Sequence, residues 1–189
     1  MRLTIALFIV ICGLTAAEYP PIKKFVIQGQ AQGTTYQVTY YAGDSTVTKS
    51  QIDSLVDKID SSLSLYKSYS LINRFNLSDS GAIIDDHFLT VLKKALTTFE
   101  ETDRIFDVTV EPLVQAWGFG AKKITALPDS AAIIAIKKCI GSRNLQVYGN
   151  KVVKKKPCIK VDFNGIAQGY TVDLIAGLLD QHGLVNYLV

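Results

Sequence analysis

The chain has 189 residues, 48% of them hydrophobic and 20% charged, and its formal net charge is +3 at pH 7. This composition excludes an intrinsically disordered chain, a collagen-like chain and a low-complexity scaffold, and so small a charge gives no reason to expect a nucleic-acid partner. Three cysteines are too few for a disulfide-dense scaffold or a zinc site with four thiolates, so we expect one domain of ordinary size with a hydrophobic core.

The N-terminus has the pattern of a secretory signal peptide. A positive charge precedes an almost unbroken apolar run over residues 3–13, and Thr15 and Ala17 fit the small–x–small cleavage motif. The apolar run is shorter than the roughly 20 residues that a membrane-spanning helix needs. We therefore predict that residues 1–17 are a cleaved signal peptide and that the remaining domain, residues 18–189, is exported to the periplasm.

The cysteines leave two questions open. Cys12 could be a lipid-attachment site that anchors the protein to the membrane, but the bulky Ile11 before it disfavours lipoprotein processing, which needs a small residue there. In an exported protein Cys139 and Cys158 could form a disulfide. Nothing in their spacing requires one, so we expect two separate buried thiols.

The first half of the chain predicts two strands followed by two helices. Polar and apolar residues nearly alternate over Thr34–Tyr41, which favours a strand there, after a shorter one at Val26–Gln28. Thr48 and Gln51 have the spacing of a capping box, and apolar residues at helical spacing follow them. A second apolar stripe predicts a helix over Asp86–Glu100.

The second half mixes helices with short strands. The predicted elements are a helix from Pro128 that closes at Gly141, a hairpin of Leu145–Tyr148 and Val152–Lys156, a strand at Ile159–Phe163, a helix over Ile166–Gln181 and a strand over Leu184–Val189. Trp117 and Phe119 are expected in the core, and the hairpin lysines, Lys154 among them, on a solvated face. We predict a single α+β domain with mixed or antiparallel sheets and packed helices, truncated at its C-terminal side.

Residues Asp162–Tyr170 are the most informative stretch for function. They read as a strand, a turn and the start of a helix, whose unpaired N–H groups suit a phosphate. Gly165 and Gly169 would let a ligand approach closely, and Asp162 could hold a metal ion that bridges phosphate oxygens. The alternative is that Asp162 or Asn164 only caps the helix and that the glycines serve packing.

Three further positions could bind a ligand. Asp107 lies between large apolar residues and is expected to be a partly buried, hydrogen-bonded acid; it could bind the base or sugar of a nucleotide, or cap a helix. Tyr66 offers a flat ring for stacking on a planar ligand, and Gln32 begins a glycine turn ahead of a strand. His87 and His182 have no metal-binding spacing and are expected to be structural or exposed.

Taken together and in this order, four segments resemble the FAD:protein FMN transferase family, also called the ApbE type. They are Gln32–Thr35, Ser64–Asn76 with the pattern Ser-x-Ile-x-x-Phe-Asn, Phe106–Gly120 with Phe-Asp-x-Thr-Val and Trp-Gly-Phe-Gly, and Asp162–Tyr170. The resemblance spans about residues 28–189. This sequence departs from the family pattern at Gln32, Arg104, Ile105, Asn164 and Gln168.

The resemblance implies a flavin transferase that requires Mg²⁺, moves FMN from FAD to a threonine hydroxyl of a target flavoprotein and releases AMP. The implied FAD contacts are Gln32, Tyr66, Ile105, Phe106, Asp107, Asp162 and Gln168, and Gly165 would offer its carbonyl oxygen to Mg²⁺. The other Mg²⁺ ligands and the catalytic residues are expected beyond Val189. Gln168 stands where the family has a lysine, which removes a charge from a phosphate contact.

Two other functions stay open. The chain could belong to a protein that binds FAD, or to a Mg²⁺-dependent FAD pyrophosphatase, without transferring flavin to a protein. It could also be a secreted scaffold whose glycine turns are all structural, which the order of the four segments disfavours. The sequence identifies neither the acceptor protein nor the oligomeric state.

Overall fold

Two antiparallel sheets carry the strands of the fold, which a computed structural model describes for residues 20–189. In the first sheet, β2 (Thr34–Ala42) lies between β1 (Lys23–Ala31) and β6 (Tyr187–Leu188). In the second sheet, β5 (Lys151–Lys154) lies between β3 (Gly81–Ile83) and β4 (Leu145–Tyr148). The predicted signal peptide and Cys12 lie outside the described residues.

Helices connect and cover the strands. Within residues 20–189 they are α1 (Lys49–Leu63), α2 (Leu71–Leu77), α3 (Asp86–Glu101), α4 (Glu111–Ala116), α5 (Ser130–Lys137) and α6 (Asn164–Gln181), with short 3₁₀ turns at Val108–Val110 and Ser142–Asn144. None of the helices in this range is both long and apolar enough to cross a bilayer. The predicted α+β class, with antiparallel sheets and packed helices, is confirmed.

The turn between β1 and β2 fixes the position of Gln32. The two strands pair in register from Lys23 with Ala42 to Ala31 with Thr34, so only two residues make the turn. Both have a positive φ, 51° at Gln32 and 78° at Gly33, which is the geometry that two-residue hairpin turns favour. Glycine adopts this region at no steric cost, whereas Gln32 is held in it by the strand register.

Helix α1 begins at the predicted capping box, which is confirmed. The Thr48 side chain accepts a hydrogen bond from the Gln51 backbone N–H, and the Gln51 side chain accepts one from the Thr48 N–H. Two donors that would otherwise lack a partner at the helix N-terminus are thereby satisfied. The apolar stripe that follows is buried, as its helical spacing predicts; its members are Ile52, Val56, Ile59 and Leu63.

Helices α1 and α6 pass through both hydrophobic clusters of the fold. The smaller cluster joins the first sheet to Ile52 and Val56 of α1 and to Ile175 and Leu179 of α6. The larger cluster joins α2, α3 and the second sheet to Ile59 and Leu63 of α1 and to Ala167 of α6. The C-terminal end of α1 and the N-terminal end of α6 therefore pack into the same cluster.

The segment Ile159–Phe163 is largely buried but is not a strand, so the strand that was predicted there is wrong. Its backbone bonds to groups outside the sheets: the Asn76 side chain donates to the Val161 carbonyl at 2.9 Å and accepts from the Val161 N–H at 2.8 Å. The Asp162 N–H donates to the Val108 carbonyl at 2.8 Å. These bonds satisfy the buried backbone without a strand partner.

Trp117 and Phe119 lie at the surface, so their predicted place in the core is wrong. The exposed fraction is 43% for Trp117 and 77% for Phe119. Both follow α4, a helix of six residues in which none is fully buried. The aromatic segment therefore turns away from both hydrophobic clusters.

The prediction of two separate thiols is also wrong, because Cys139 and Cys158 form a disulfide with their Cα atoms 5.5 Å apart. Cys139 follows α5, and Cys158 follows β5. The ammonium group of Lys156 donates to the carbonyl of Lys138 at 2.9 Å, which holds the two segments side by side.

Lys154 departs from the solvated face that was predicted for the hairpin lysines. Burial alternates along β5, and Lys154 falls on the same buried face as Val152. Its ammonium group donates to the Ser78 carbonyl at 2.7 Å and lies 4.7 Å from the centre of the Phe75 ring. Burial lowers the pKa of Lys154 to about 8.

Candidate functional site

A cleft lies where the end of α1 meets the start of α6. One part is a cavity of about 170 Å³, lined by Gln32, Asp60, Leu63, Ser64, Tyr66, Asn164, Ala167 and Gln168. An adjoining cavity of about 570 Å³ shares Gln32, Asp60, Ser64 and Tyr66 with it and extends along the β1–β2 turn. We call the two together the α1–α6 cleft. It brings three predicted site residues, Gln32, Tyr66 and Gln168, to one place.

Gln32 is tied to α6 across this cleft. Its side-chain amide donates to the Thr171 hydroxyl at 2.7 Å, and that hydroxyl donates to the Ala167 carbonyl at 2.9 Å. The tight β1–β2 turn directs the side chain toward the helix, and the hydrogen bond then fixes its position. The glycine turn seen in the sequence therefore forms one wall of the cleft.

Tyr66 presents a largely free ring at the cleft. It follows the C-terminal end of α1, and its side chain is 58% exposed. Hydrogen bonds hold the backbone around it, because the amide group of Asn73 donates to three carbonyls, those of Ser64, Leu65 and Lys67, at 3.4, 3.1 and 2.9 Å. An aromatic face beside a cavity is suited to stacking on a planar ligand.

Asp60 is a cleft residue that the sequence reasoning missed. Only 8% of it is exposed, and its Oδ1 atom is buried with no hydrogen-bond partner among residues 20–189. Burial raises the pKa of its carboxyl group, against the opposing pull of Lys67. The signal was present in the sequence, since Asp60 lies four residues after Val56 and three before Leu63, on the buried stripe of α1.

Asp162 lies at the start of α6. It is buried, and its Oδ1 atom accepts a hydrogen bond from the Asn164 N–H at 2.7 Å. Burial raises the pKa of this carboxyl group, and the bond from Asn164 acts in the opposite direction. The carboxyl group thus satisfies a free N–H at the start of the helix, as the capping alternative proposed.

Phe106 and Gly165 lie together, but away from the α1–α6 cleft. They line a largely apolar groove of about 590 Å³ between α3 and α6, with Gly169 and Tyr170. In an α-helix of 3.6 residues per turn, Gly165 and Gly169 share a side that faces away from Ala167, and Gln168 lies between the two sides. Ile105 is 88% exposed. The structure therefore groups the predicted residues into two sets around α6.

Asp107 is the partly buried, hydrogen-bonded acid that was predicted, and this prediction is confirmed. Its carboxyl group accepts bonds from the Thr109 N–H at 2.8 Å and hydroxyl at 2.6 Å. It also accepts from the Ser142 N–H at 3.1 Å and hydroxyl at 2.6 Å. Asp107 thus caps the first 3₁₀ turn and ties it to the second.

The described residues do not form a metal site by themselves. Within residues 20–189, no group of three or more histidine, cysteine, aspartate or glutamate side chains is placed to hold a metal ion. His87 contacts Tyr170, with its Nδ1 atom 2.8 Å from the Tyr170 hydroxyl. Asp162 and the Gly165 carbonyl would be at most part of a Mg²⁺ coordination sphere, which needs about six oxygen ligands.

Most of this chain matches curated proteins of known name. The chain is 32% identical over 183 residues to an FAD:protein FMN transferase of Vibrio cholerae, covering 93% of this chain and 55% of the relative. It is 33% identical over 174 residues to the FAD:protein FMN transferase of Salmonella typhimurium, covering 87% of this chain and 50% of the relative. The chain thus spans about half the length of these curated relatives.

Solved structures show the same fold. The flavin transferase ApbE from Vibrio cholerae superposes with a TM-score of 0.82 at 32% identity, over 88% of this chain and 56% of that one. The apo form of the Pseudomonas stutzeri flavinyl transferase ApbE gives a TM-score of 0.82 at 29% identity, again over 88% and 56%. The family model of ApbE matches residues 32–189, and the chain therefore belongs to the ApbE family.

Proposed function

We propose that this chain is the FAD-binding part of a flavin transferase, which moves FMN from FAD to a threonine hydroxyl of a target flavoprotein and releases AMP. The relatives that this chain matches over about half of their length are named FAD:protein FMN transferases. The observation that carries the proposal is the α1–α6 cleft. There Gln32, Tyr66 and Gln168, from three distant segments, line one cavity beside the N-terminus of α6.

The cleft offers what a dinucleotide needs. Tyr66 can stack on one of its planar rings, and the positive end of the α6 dipole favours the negative charge of a pyrophosphate. Gln168 can donate a hydrogen bond there, although it lacks the charge of the lysine that the family has at this position. In phosphoryl transfer the protein acts mainly by positioning and by stabilising charge, so a binding cleft is a chemically useful contribution.

The proposed transfer is a nucleophilic displacement at phosphorus. The threonine oxygen would form a bond to the phosphorus of the FMN half while the bond to the bridging oxygen breaks, so that AMP leaves and the threonine proton is released. Mg²⁺ would neutralise pyrophosphate charge in this reaction. Because residues 20–189 gather no acidic cluster for it, the proposed requirement for Mg²⁺ rests on the family resemblance.

We also propose that the protein is exported to the periplasm, with or without a lipid on Cys12. The disulfide between Cys139 and Cys158 supports this, because such bonds persist mainly in oxidising compartments. Fractionation of cells that produce the protein, with a periplasmic and a cytoplasmic marker, tests the location. Recovery in the cytoplasmic fraction with both thiols free would contradict the proposal.

The activity is tested by incubating the full-length protein with FAD, Mg²⁺ and a threonine-bearing flavoprotein domain. The expected result is an acceptor that is fluorescent because flavin is covalently attached to it, together with one equivalent of AMP. Neither product should form when EDTA is present. An acceptor with valine in place of the threonine is the matched control. AMP without labelled acceptor would point to a Mg²⁺-dependent FAD pyrophosphatase, FAD binding alone to a flavin-binding protein, and no FAD binding to a scaffold.

A further inference from the structure

We propose that Asp60 is a ligand-binding residue of the α1–α6 cleft, and that its carboxylate accepts a hydrogen bond from an N–H group on the edge of a planar ring that stacks on Tyr66. This rests on the proposed function, because FAD carries two rings with such an edge. The flavin has an imide N–H and the adenine has an amino group. The experiment below separates these two sources.

Within residues 20–189 the fold leaves one oxygen of this carboxyl group without a partner. Asp60 is 8% exposed and its Oδ1 atom has no hydrogen-bond partner among residues 20–189. Buried polar atoms are paired in the great majority of cases, and an unpaired one costs stability. Asp60 lies on the stripe between Val56 and Leu63, so it is on the side of α1 that packs against the rest of the fold.

Within residues 20–189, no side chain or backbone group donates a hydrogen bond to Oδ1 of Asp60. The amide of Gln32 donates to the Thr171 hydroxyl. The backbone N–H of Ser64 donates to the backbone carbonyl of Asp60, not to its carboxyl group. Lys67 acts on Asp60 only through its charge. Asp60 therefore keeps an acceptor free for a ligand, and the cleft that it lines is the place from which a donor can arrive.

The shape of the cleft also limits which part of a ligand can lie beside Asp60. Asp60 and Tyr66 line both cavities of the cleft, so an aromatic face and a carboxylate border the same space. A ring lying flat on Tyr66 presents its edge to the surrounding wall, and a carboxylate in that wall selects an edge with an N–H donor. Phosphate groups would be repelled by Asp60, which assigns this side of the cleft to a ring.

The decisive variant is Asp60→Leu, which removes both oxygens and keeps a side chain of suitable size on the buried stripe. We expect the melting temperature to stay the same or rise, because an unsatisfied buried acid is removed, while the affinity for FAD falls roughly tenfold or more. A residue with only a structural role would not combine these two results. Asp79→Asn, which removes a charge from an exposed loop, is the matched control and should bind as the wild type does.

Affinities are measured on the full-length protein by titration with FAD, riboflavin and AMP, each with and without Mg²⁺. If the flavin edge is read, Asp60→Leu weakens riboflavin and not AMP, and N3-methylriboflavin binds wild type and variant equally. If the adenine edge is read, Asp60→Leu weakens the binding of AMP and not of riboflavin, and N6,N6-dimethyl-AMP binds wild type and variant equally.

Two outcomes would overturn the inference while leaving the proposed function in place. One is FAD affinity in Asp60→Leu equal to that of the wild type. The other is a loss that occurs only when Mg²⁺ is present, which would make Asp60 a metal ligand. A wild-type protein that binds no FAD would refute the proposed function itself and this inference with it.

Discussion

Burial shifts the pKa of several ionisable side chains in the fold. Burial raises the pKa of the carboxyl groups of Asp60, Glu111 and Asp162, and it lowers the pKa of Lys154. In each case burial disfavours the charged form. The Oε2 atom of Glu111 is, like Oδ1 of Asp60, buried with no hydrogen-bond partner among residues 20–189. Asp60 lines the α1–α6 cleft, whereas Glu111 lines none of the cavities described above.

Replacement of Asp162 by asparagine is expected to weaken the binding of FAD in the presence of Mg²⁺ about tenfold while the fold stays intact. The asparagine side chain keeps an oxygen that can accept the hydrogen bond from Asn164, so the start of α6 is preserved. It loses the negative charge that a metal ion would need. Titration by flavin fluorescence and a melting curve check the two halves of this prediction. Unchanged affinity would remove Asp162 from the site.

Lys154 gives a prediction for pH dependence. Its pKa is about 8 in the folded protein, against an ordinary value of 10.5, so between these values the unfolded chain holds a proton that the folded protein has released. Stability contributed by this residue must therefore rise as the pH increases through that window. The free energy of unfolding of the wild type, minus that of Lys154→Met, should increase by about 1–3 kcal/mol from pH 7 to pH 10.

Urea unfolding at the two pH values measures this difference. Lys155→Met, at an exposed neighbouring position, is the control and should differ from the wild type by the same amount at both. A difference that stays constant or falls for Lys154→Met would show that the buried ammonium group is not held at a cost in the folded protein.

The environment of a single residue can be predicted when its hydrogen-bond partners are close to it in the sequence. Asp107 could be expected to need partners because large apolar residues flank it, and two of its four hydrogen bonds come from Thr109, two residues away. The other two come from Ser142, which no local pattern indicates. Asp60 was predictable as a buried acid from its place on the stripe of α1, but its lack of a partner depends on distant residues such as Gln32.

Helices and strands could be predicted from the sequence where capping or turn residues stand at their ends. The capping box at Thr48 and the glycine turn that begins at Gln32 are short-range features, and the structure has a helix and a hairpin at these places. The segment Ile159–Phe163 has the composition of a strand, yet its backbone partners, Asn76 and Val108, are distant in sequence. Composition alone cannot distinguish such a segment from a strand.

The disulfide between Cys139 and Cys158 is expected to stabilise the fold by linking two elements. It closes a loop with a sequence separation of 19 residues between the end of α5 and the segment after β5. A loop of this size restricts the unfolded chain, so the double variant Cys139→Ala/Cys158→Ala should lose about 3 kcal/mol of unfolding free energy. Chemical denaturation in oxidising buffer is the measurement.

Reduction provides the matched control for this prediction. Dithiothreitol should lower the stability of the wild type to that of the double variant and leave the variant unchanged. Equal stability of the oxidised wild type and the double variant would mean that the cross-link does not restrict the unfolded chain. A double variant that responds to dithiothreitol would show that the reagent acts elsewhere.

For the whole molecule, the α1–α6 cleft lies at the larger of the two hydrophobic clusters, close to where the β1–β2 turn reaches α6. The order of four motifs in the sequence allowed the family to be identified, and the ApbE family model matches residues 32–189. The pairing of Gln32 with Tyr66 and Gln168 in one cleft, and of Phe106 with Gly165 in another groove, depends on how α6 packs. No pattern within one segment contains that information.

Because α1 and α6 pass through both clusters, the two clusters cannot come apart without breaking both helices. Leu55 packs against both of them, and the turn at Gln32 is bonded to Thr171 of α6. A fold whose helices are shared in this way is expected to unfold in one cooperative step, even though its two sheets are not paired with each other.

This cooperativity can be measured with one truncation in each cluster. Phe88→Ala in the larger cluster and Ile175→Ala in the smaller one should each cost roughly 2–5 kcal/mol. Each variant should lower the unfolding midpoint equally by far-ultraviolet circular dichroism and by the fluorescence of Trp117, the single tryptophan, which lies in neither cluster. If Ile175→Ala instead moved the dichroism signal while leaving the fluorescence transition in place, the two clusters would be independent units and α1 and α6 would not couple them.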